Sequence, residues 1–144
     1  MTGLFERIVL PVVTEEDAET TCDAALDHVA DADGRVVAVH VVEKGGGIPD
    51  KASVEQREER ADEIFSVVTD RCDAAGVPVE TKLTYGTDIA DAIFDVAEDV
   101  DATAIVFSPR HGNRWIQLLT GDVAHSLVTK SDRPIVVLPD TEAN

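Results

Sequence analysis

Apolar residues follow two rhythms along this chain. Residues 7–13 (Arg-Ile-Val-Leu-Pro-Val-Val) and 35–42 (Arg-Val-Val-Ala-Val-His-Val-Val) are short, nearly continuous apolar runs, the pattern of strands buried on both faces. Between them Ala18, Cys22, Ala25, Leu26 and Val29 recur at helical spacing, so they share one face of a helix. Thr14 is placed to cap that helix, with Glu15, Glu16 and Asp17 in its first turn, where the helix dipole favours acids. Gly34 closes the unit. After Gly45, Gly46, Gly47 and Pro49, Ser53 and Gln56 form a capping-box signal. Ala61, Ile64, Phe65, Val68, Cys72 and Ala75 then trace a second helical stripe, which Gly76 and Pro78 end.

Val79, Thr81, Leu83 and Tyr85 alternate with Glu80, Lys82 and Thr84. Period two with one polar face predicts a strand near a sheet edge. Gly86 turns the chain, Thr87 or Asp88 caps a third helix, and Ile89, Ile93, Val96 and Ala97 form its inner face. Residues 103–108 read as a fourth strand. The loop from Pro109 to Arg114 leads to a helix-like piece around Trp115–Leu119. Gly121 opens a last helix carrying Val123, Ala124, Leu127 and Val128. Pro134 starts a final strand through Leu138, and 140–144 reads as a frayed tail. Strands alternating with helices predict a single α/β domain over 1–144, a parallel sheet with helices on both faces. Ligands in such sheets sit beyond the carboxyl ends of the strands, where strand order reverses.

Composition narrows the class. With 44% apolar residues in 144, the chain can bury a core without staples. No apolar run approaches the roughly 18 residues of a membrane span, and no secretory signal is visible, so a cytoplasmic protein is expected. Acids number 29 against 12 basic residues, a net charge of −17. Such a surface repels phosphate backbones, which disfavours nucleic-acid binding. Seventeen acids are Asp, and Lys44, Lys51, Lys82 and Lys130 are the only lysines. This balance suits a halophile, whose salt screens self-repulsion; a mesophile using charge for solubility is the rival. Cys22 and Cys72 lie on or beside apolar helix faces, as buried small hydrophobes or, alternatively, as a helix-to-helix disulfide.

The order of several segments resembles the universal stress protein family (UspA-like). These are Ile8-Val9-Leu10-Pro11, Val39-His40-Val41-Val42-Glu43, Tyr85-Gly86 leading into Ile93 and Ala97, Ala104-Ile105-Val106, Gly121-Asp122-Val123-Ala124 and Arg133-Pro134-Ile135-Val136-Val137. The similarity spans nearly the whole chain, as an acidic, haloarchaeal-type member. It implies a Rossmann-like open sheet of the adenine-nucleotide alpha hydrolase-like kind, with five parallel strands in order 3-2-1-4-5. It also implies a homodimer through the last strand, here Pro134, Ile135, Val136, Val137 and Leu138.

The resemblance further implies a nucleotide site formed by Pro11, Val12, Val13, Val41, Phe107, Ser108, Arg110, His111, Arg114, Gly121, Asp122 and Val123. ATP-binding members carry Gly-x2-Gly-x9-Gly-Ser/Thr after strand four, where glycines let the backbone approach phosphate, and an Asp after the first strand's Pro. This chain has Ser108-x2-His111-x9-Gly121-Asp122, and Val13 at the Asp position. Gly112, one residue late, leaves a shifted loop open. A carboxylate about 4 Å from a phosphate charge costs on the order of 4 kcal/mol at an effective dielectric near 20, so tight ATP binding is not expected; Asp122 would also stabilise its helix start. Against this, Arg110, His111 and Arg114 form a basic loop suited to clamping an anion, or to pairing with nearby acids. ATP with magnesium is therefore the rival reading, and no other cofactor is implied.

Other chemistry is weakly signalled. His28, His40, His111 and His125 have no metal-ligand spacing, and His40 reads as a core imidazole. Ser108 and His111 lack a Gly-x-Ser-x-Gly elbow and a third orienting group, so no enzyme is expected. Asp95, Asp99 and Asp101 read as a solvated face, and Trp115 as a packing or dimer anchor.

Overall fold

A computed structural model describes residues 3–12, 15–43, 51–86, 89–107 and 129–138. Its elements are β1 (Arg7–Pro11), α1 (Glu15–Asp31), β2 (Arg35–Glu43), α2 (Lys51–Ala75), β3 (Val79–Gly86), α3 (Ile89–Asp99), β4 (Ala104–Phe107) and β5 (Ile135–Val137). The strands form one parallel sheet in the order β3-β2-β1-β4-β5, which is the expected Rossmann-like topology. The chain runs leftward from β1 to β2 to β3 and then jumps right to β4. Right-handed crossovers therefore place α1 and α2 on one face and α3 on the other.

The two cores follow from the strand period of two. Ile8, Leu10, Val36, Ala38, Ala104 and Val106 point to the α1–α2 face. Val9, Val37, Val39 and Ile105 point to the α3 face. On the first face Ala18, Cys22, Ala25, Leu26 and Val29 of α1 meet Ala61, Ile64, Phe65, Val68 and Cys72 of α2. These are the stripes that the helical spacing predicts. Burying a side chain such as Ile64 contributes about 1.5–3 kcal/mol. Thr20 and Thr21 are buried as well, although their polarity hides them from the pattern. On the second face Ala90, Ile93, Val96 and Ala97 of α3 carry the packing.

The helices α1, α2 and α3 end alike. A residue with positive φ follows each: Asp33 at 55°, Gly76 at 72° and Asp101 at 54°. The next N–H reaches back five residues, from Gly34 to Val29, Val77 to Cys72 and Ala102 to Ala97, each at 2.9 Å. This is the Schellman closure, which satisfies carbonyls that the last turn leaves bare. Gly34 therefore does not supply the left-handed residue that ends α1; Asp33 does. Gly34 is needed for another reason: a Cβ there would lie 2.1 Å from the Phe5 carbonyl oxygen.

The predicted strand ends shift slightly. β1 stops at Pro11, and Thr103 lies just outside β4. The sheet's two margins differ. β3 is an edge strand, with Val79 and Leu83 half-buried on one side and Glu80 and Lys82 exposed on the other. Thr81 and Tyr85, on the nominally inner side, are also exposed. The Tyr85 hydroxyl lies 3.3 Å from Glu58 Oε1 of α2. β5 is short and uncharged, with Val137 47% exposed. No described helix is long and apolar enough to cross a membrane.

Candidate functional site

Strand order reverses between β1 and β4, and the sheet opens there. β1 pairs with β2 as far as Pro11↔Val39. Its pairing with β4 ends at Val9↔Ile105, although β4 continues to Phe107. Backbone parity explains the split. The Val12 N–H bonds the Val39 carbonyl at 2.8 Å, so Pro11, one residue earlier, faces β4. Proline has no N–H to give there. The two strands part beyond this point, with Pro11 and Val12 on one side and the backbone of Phe107 on the other.

His40 fixes one wall. Its Nδ1 lies 2.9 Å from the Val12 carbonyl oxygen; a carbonyl only accepts, so Nδ1 carries the proton and donates. The ring is buried, edge-on to Phe65 at 6.5 Å between centroids. Both backbone polar groups of Val12 are thus used within the protein, and its side chain is buried. The core-imidazole reading of His40 holds, but its tie to β1 is a role that the sequence does not display. Val41, on β2 beyond the end of β1, is half-buried against the α3-face core.

The structure brings Pro11, Val12, Val41 and the backbone of Phe107 to this end of the sheet. Val13, Ser108, Arg110, His111, Arg114, Gly121, Asp122 and Val123 lie outside the described residues, as do Trp115 and His125. The last described residue of β4 is Phe107. Thr129 and Lys130 are helical; the rest of the helix expected from Gly121 lies outside the described residues.

The opposite end of the sheet holds a cavity of about 300 Å3 lined by Glu6, Arg7, Asp101, Ala102 and Thr103. Its walls are stitched together. Thr103 Oγ1 accepts the Arg7 N–H at 3.0 Å and donates to the Leu4 carbonyl at 2.8 Å. Arg7 Nη1 donates to the Val100 carbonyl at 3.1 Å. Arg133 Nε donates to the Ala102 carbonyl at 3.0 Å, while its guanidinium lies 3.0 Å from Asp132 and 3.6 Å from Asp101. The polar groups here are spent on joining strand starts. Asp95, Asp99 and Asp101 are solvent-exposed. No group of three or more potential metal ligands gathers among the described residues.

The universal stress protein family model matches residues 4–139. This chain belongs to the universal stress protein family. A universal stress protein of Mycolicibacterium smegmatis is 27% identical over 128 residues, covering 88% of this chain and 95% of that one. Solved structures agree on the fold. A universal stress protein family member from Burkholderia pseudomallei superposes with a TM-score of 0.75 at 23% identity, covering 96% of this chain and 99% of that one. A universal stress protein from Archaeoglobus fulgidus in complex with dAMP gives a TM-score of 0.66 at 23% identity, over 94% and 99% of the two chains. In this universal stress protein the Pro11 split and the His40 tie shape the carboxyl end of β1.

Proposed function

We propose that this universal stress protein is a non-catalytic, cytoplasmic regulatory module that works as a homodimer and does not bind ATP tightly. The observation that carries the reading is the sequence after β4. Ser108 and His111 replace two phosphate-facing glycines, Asp122 replaces the hydroxyl residue after Gly121, and Val13 replaces the nucleoside-contacting Asp. Glycine-to-side-chain changes remove close backbone approach, and the carboxylate repels a triphosphate by about 4 kcal/mol at 4 Å and an effective dielectric near 20. Calorimetry with Mg-ATP in concentrated salt is the test. The expected result is no association at micromolar nucleotide; a micromolar or tighter dissociation constant overturns the reading.

For the dimer, the support is the β5 margin: it is apolar, three residues long, and leaves Val137 exposed. Light scattering on a size-exclusion column is expected to give twice the 15.4 kDa chain mass. A monomer at micromolar concentration counts against it. The net charge of −17 supports a halophilic setting, in which salt shortens the Debye length to about 3 Å at 1 M. Circular dichroism should then decay as salt is dialysed away, and an unchanged spectrum contradicts that part.

A second reading is favoured by the dAMP complex of the Archaeoglobus fulgidus relative and by the basic Arg110, His111 and Arg114. Under it the chain senses a nucleotide, with guanidinium groups in place of glycine amides. Replacing Arg110 and Arg114 by Ala then abolishes any measured binding; retained affinity rules it out.

A further inference from the structure

We propose that Asp33–Gly34 is a latent backbone-modification site: opening of the α1 end lets Asp33 convert to isoaspartate, and the native closure holds that reaction back. The inference goes beyond the nucleotide and dimer readings and is independent of both, because it concerns the turn from α1 into β2 at the amino end of the sheet.

Two structural demands meet in this dipeptide. The residue that ends α1 holds φ at 55°, a left-handed conformation that aspartate tolerates better than most side chains. The residue after it is buried, and a Cβ there would lie 2.1 Å from the Phe5 carbonyl oxygen, so only glycine fits. Together they impose an Asp–Gly step, and no other Asp or Asn in the sequence is followed by glycine. Such a step is open to succinimide formation, since no Cβ shields the amide nitrogen from the neighbouring carboxyl carbon. Asp33 itself is exposed, so water reaches it.

The closure is the lock. The Gly34 N–H donates to the Val29 carbonyl at 2.9 Å, and the Asp33 N–H to the Ala30 carbonyl at 3.0 Å. The nitrogen that must attack is therefore bound back to α1. Ring closure also needs the Asp33 ψ to leave its left-handed value, about +47°. The β2 side cannot swing to allow this, because the Arg35 N–H donates to the Glu6 carbonyl at 2.9 Å and the Val36 N–H to the Pro78 carbonyl at 3.0 Å. Helix ends open more readily than the core, and that opening frees the nitrogen. Asp101–Ala102 is a control within the same molecule: its φ is 54° and the Ala102 N–H reaches Ala97 at 2.9 Å, but a methyl group shields the nitrogen.

The chemistry balances without an oxidant. The Gly34 nitrogen bonds to the Asp33 side-chain carboxyl carbon, and one carboxyl oxygen leaves as water with the amide proton and the acid proton. Water then adds to the main-chain carbonyl carbon of Asp33 and breaks its bond to the Gly34 nitrogen. The chain now runs through the former side chain, one backbone carbon longer, with unchanged mass. The Gly34 N–H no longer reaches Val29, and the packing on Phe5 has no room for the extra carbon, so the closure cannot re-form.

The test incubates the full chain for weeks at physiological temperature, folded in concentrated salt or unfolded in urea. Isoaspartate is located by peptide mapping with an endoproteinase that cuts before Asp but not before isoaspartate. Formation at Asp33 should be at least about tenfold slower in the folded chain, and Asp101 should lag behind Asp33 in urea. Ala30→Gly, an exposed change in the last turn of α1, should speed formation in the folded chain about fivefold. Ile93→Val, in the core on the α3 face, should leave that rate unchanged although it lowers global stability. The refolded isoaspartyl chain should unfold at a lower midpoint than the unmodified one. Equal rates in salt and urea overturn the proposal, as does an Asp33 that stays intact in urea or an Asp101 that reacts as fast. An Ala30→Gly variant no faster than the parent, an Ile93→Val variant accelerated as much as Ala30→Gly, or an unchanged midpoint overturns it too.

Discussion

The amino and carboxyl ends of the sheet are built for different work. At the amino end Thr103, Arg7 and Arg133 spend their polar atoms on backbone groups of neighbouring segments. Gly34 meets the Phe5 carbonyl with no room for a methyl group. At the carboxyl end β1 parts from β4 after Val9, and a single imidazole secures the strand that turns away. A cavity exists at the first end, but its walls are committed to the fold. Under the proposed reading, the interruption of a ladder and not free volume marks the site, because among the described residues it is there that backbone is released for a ligand.

The contrast is sharpest if substitutions at one end move affinity and at the other move stability. The largest effect should come from Asp122→Ser. Removing the proposed repulsion should strengthen Mg-ATP binding about a thousandfold, read by calorimetry, with the unfolding midpoint little changed. Gly34→Ala should cost about 3 kcal/mol, the upper part of the overpacking range, because its methyl would press on backbone that cannot rotate away. Denaturant titration measures that loss, and ligand affinity should stay as it was. Thr103→Val should cost about 2 kcal/mol, since it strands the half-buried Arg7 N–H. The smallest change is a gain: Asp101→Gly should add about 0.5–1 kcal/mol by relieving a left-handed φ of 54°. Its pairing with Arg133 is 3.6 Å long and the Asp101 side chain is 88% exposed, so little is lost with the carboxylate. If Gly34→Ala or Thr103→Val altered ligand affinity as strongly as Asp122→Ser, the division between the two ends would fail.

Much of this architecture was legible because the buried patterns are strong. The apolar runs of β1 and β2 and the stripes of α1 and α2 needed no tertiary information. The alternation of Glu80 and Lys82 with Val79 and Leu83 placed β3 at an edge. What stayed hidden depends on register. Pro11 reads as one residue of an apolar run until pairing shows which neighbour it faces. Asp33 and Asp101 adopt positive φ, which aspartate does only occasionally, so only Gly76 announced its helix end. Thr103 reads as a strand residue, whereas its hydroxyl joins segments almost a hundred positions apart. Of the candidate site, the sequence supplied Pro11, Val12, Val41 and Phe107, which the fold gathers at one end. The residues from Ser108 to Val123 and Val13 lie outside the described structure, and their proposed roles rest on the family pattern.

The charges on β3 have a consequence for growth. Glu80 and Lys82 stand at the outer margin of the sheet, and a strand arriving there would have to strip water from both. Recruitment is then confined to the β5 margin, one per molecule. In the proposed dimer, two copies joined there through a twofold axis would use up that margin and turn the charged β3 borders outward. If the proposed dimer forms there, strand addition stops after a single step, which would let the protein be kept concentrated without seeding fibres.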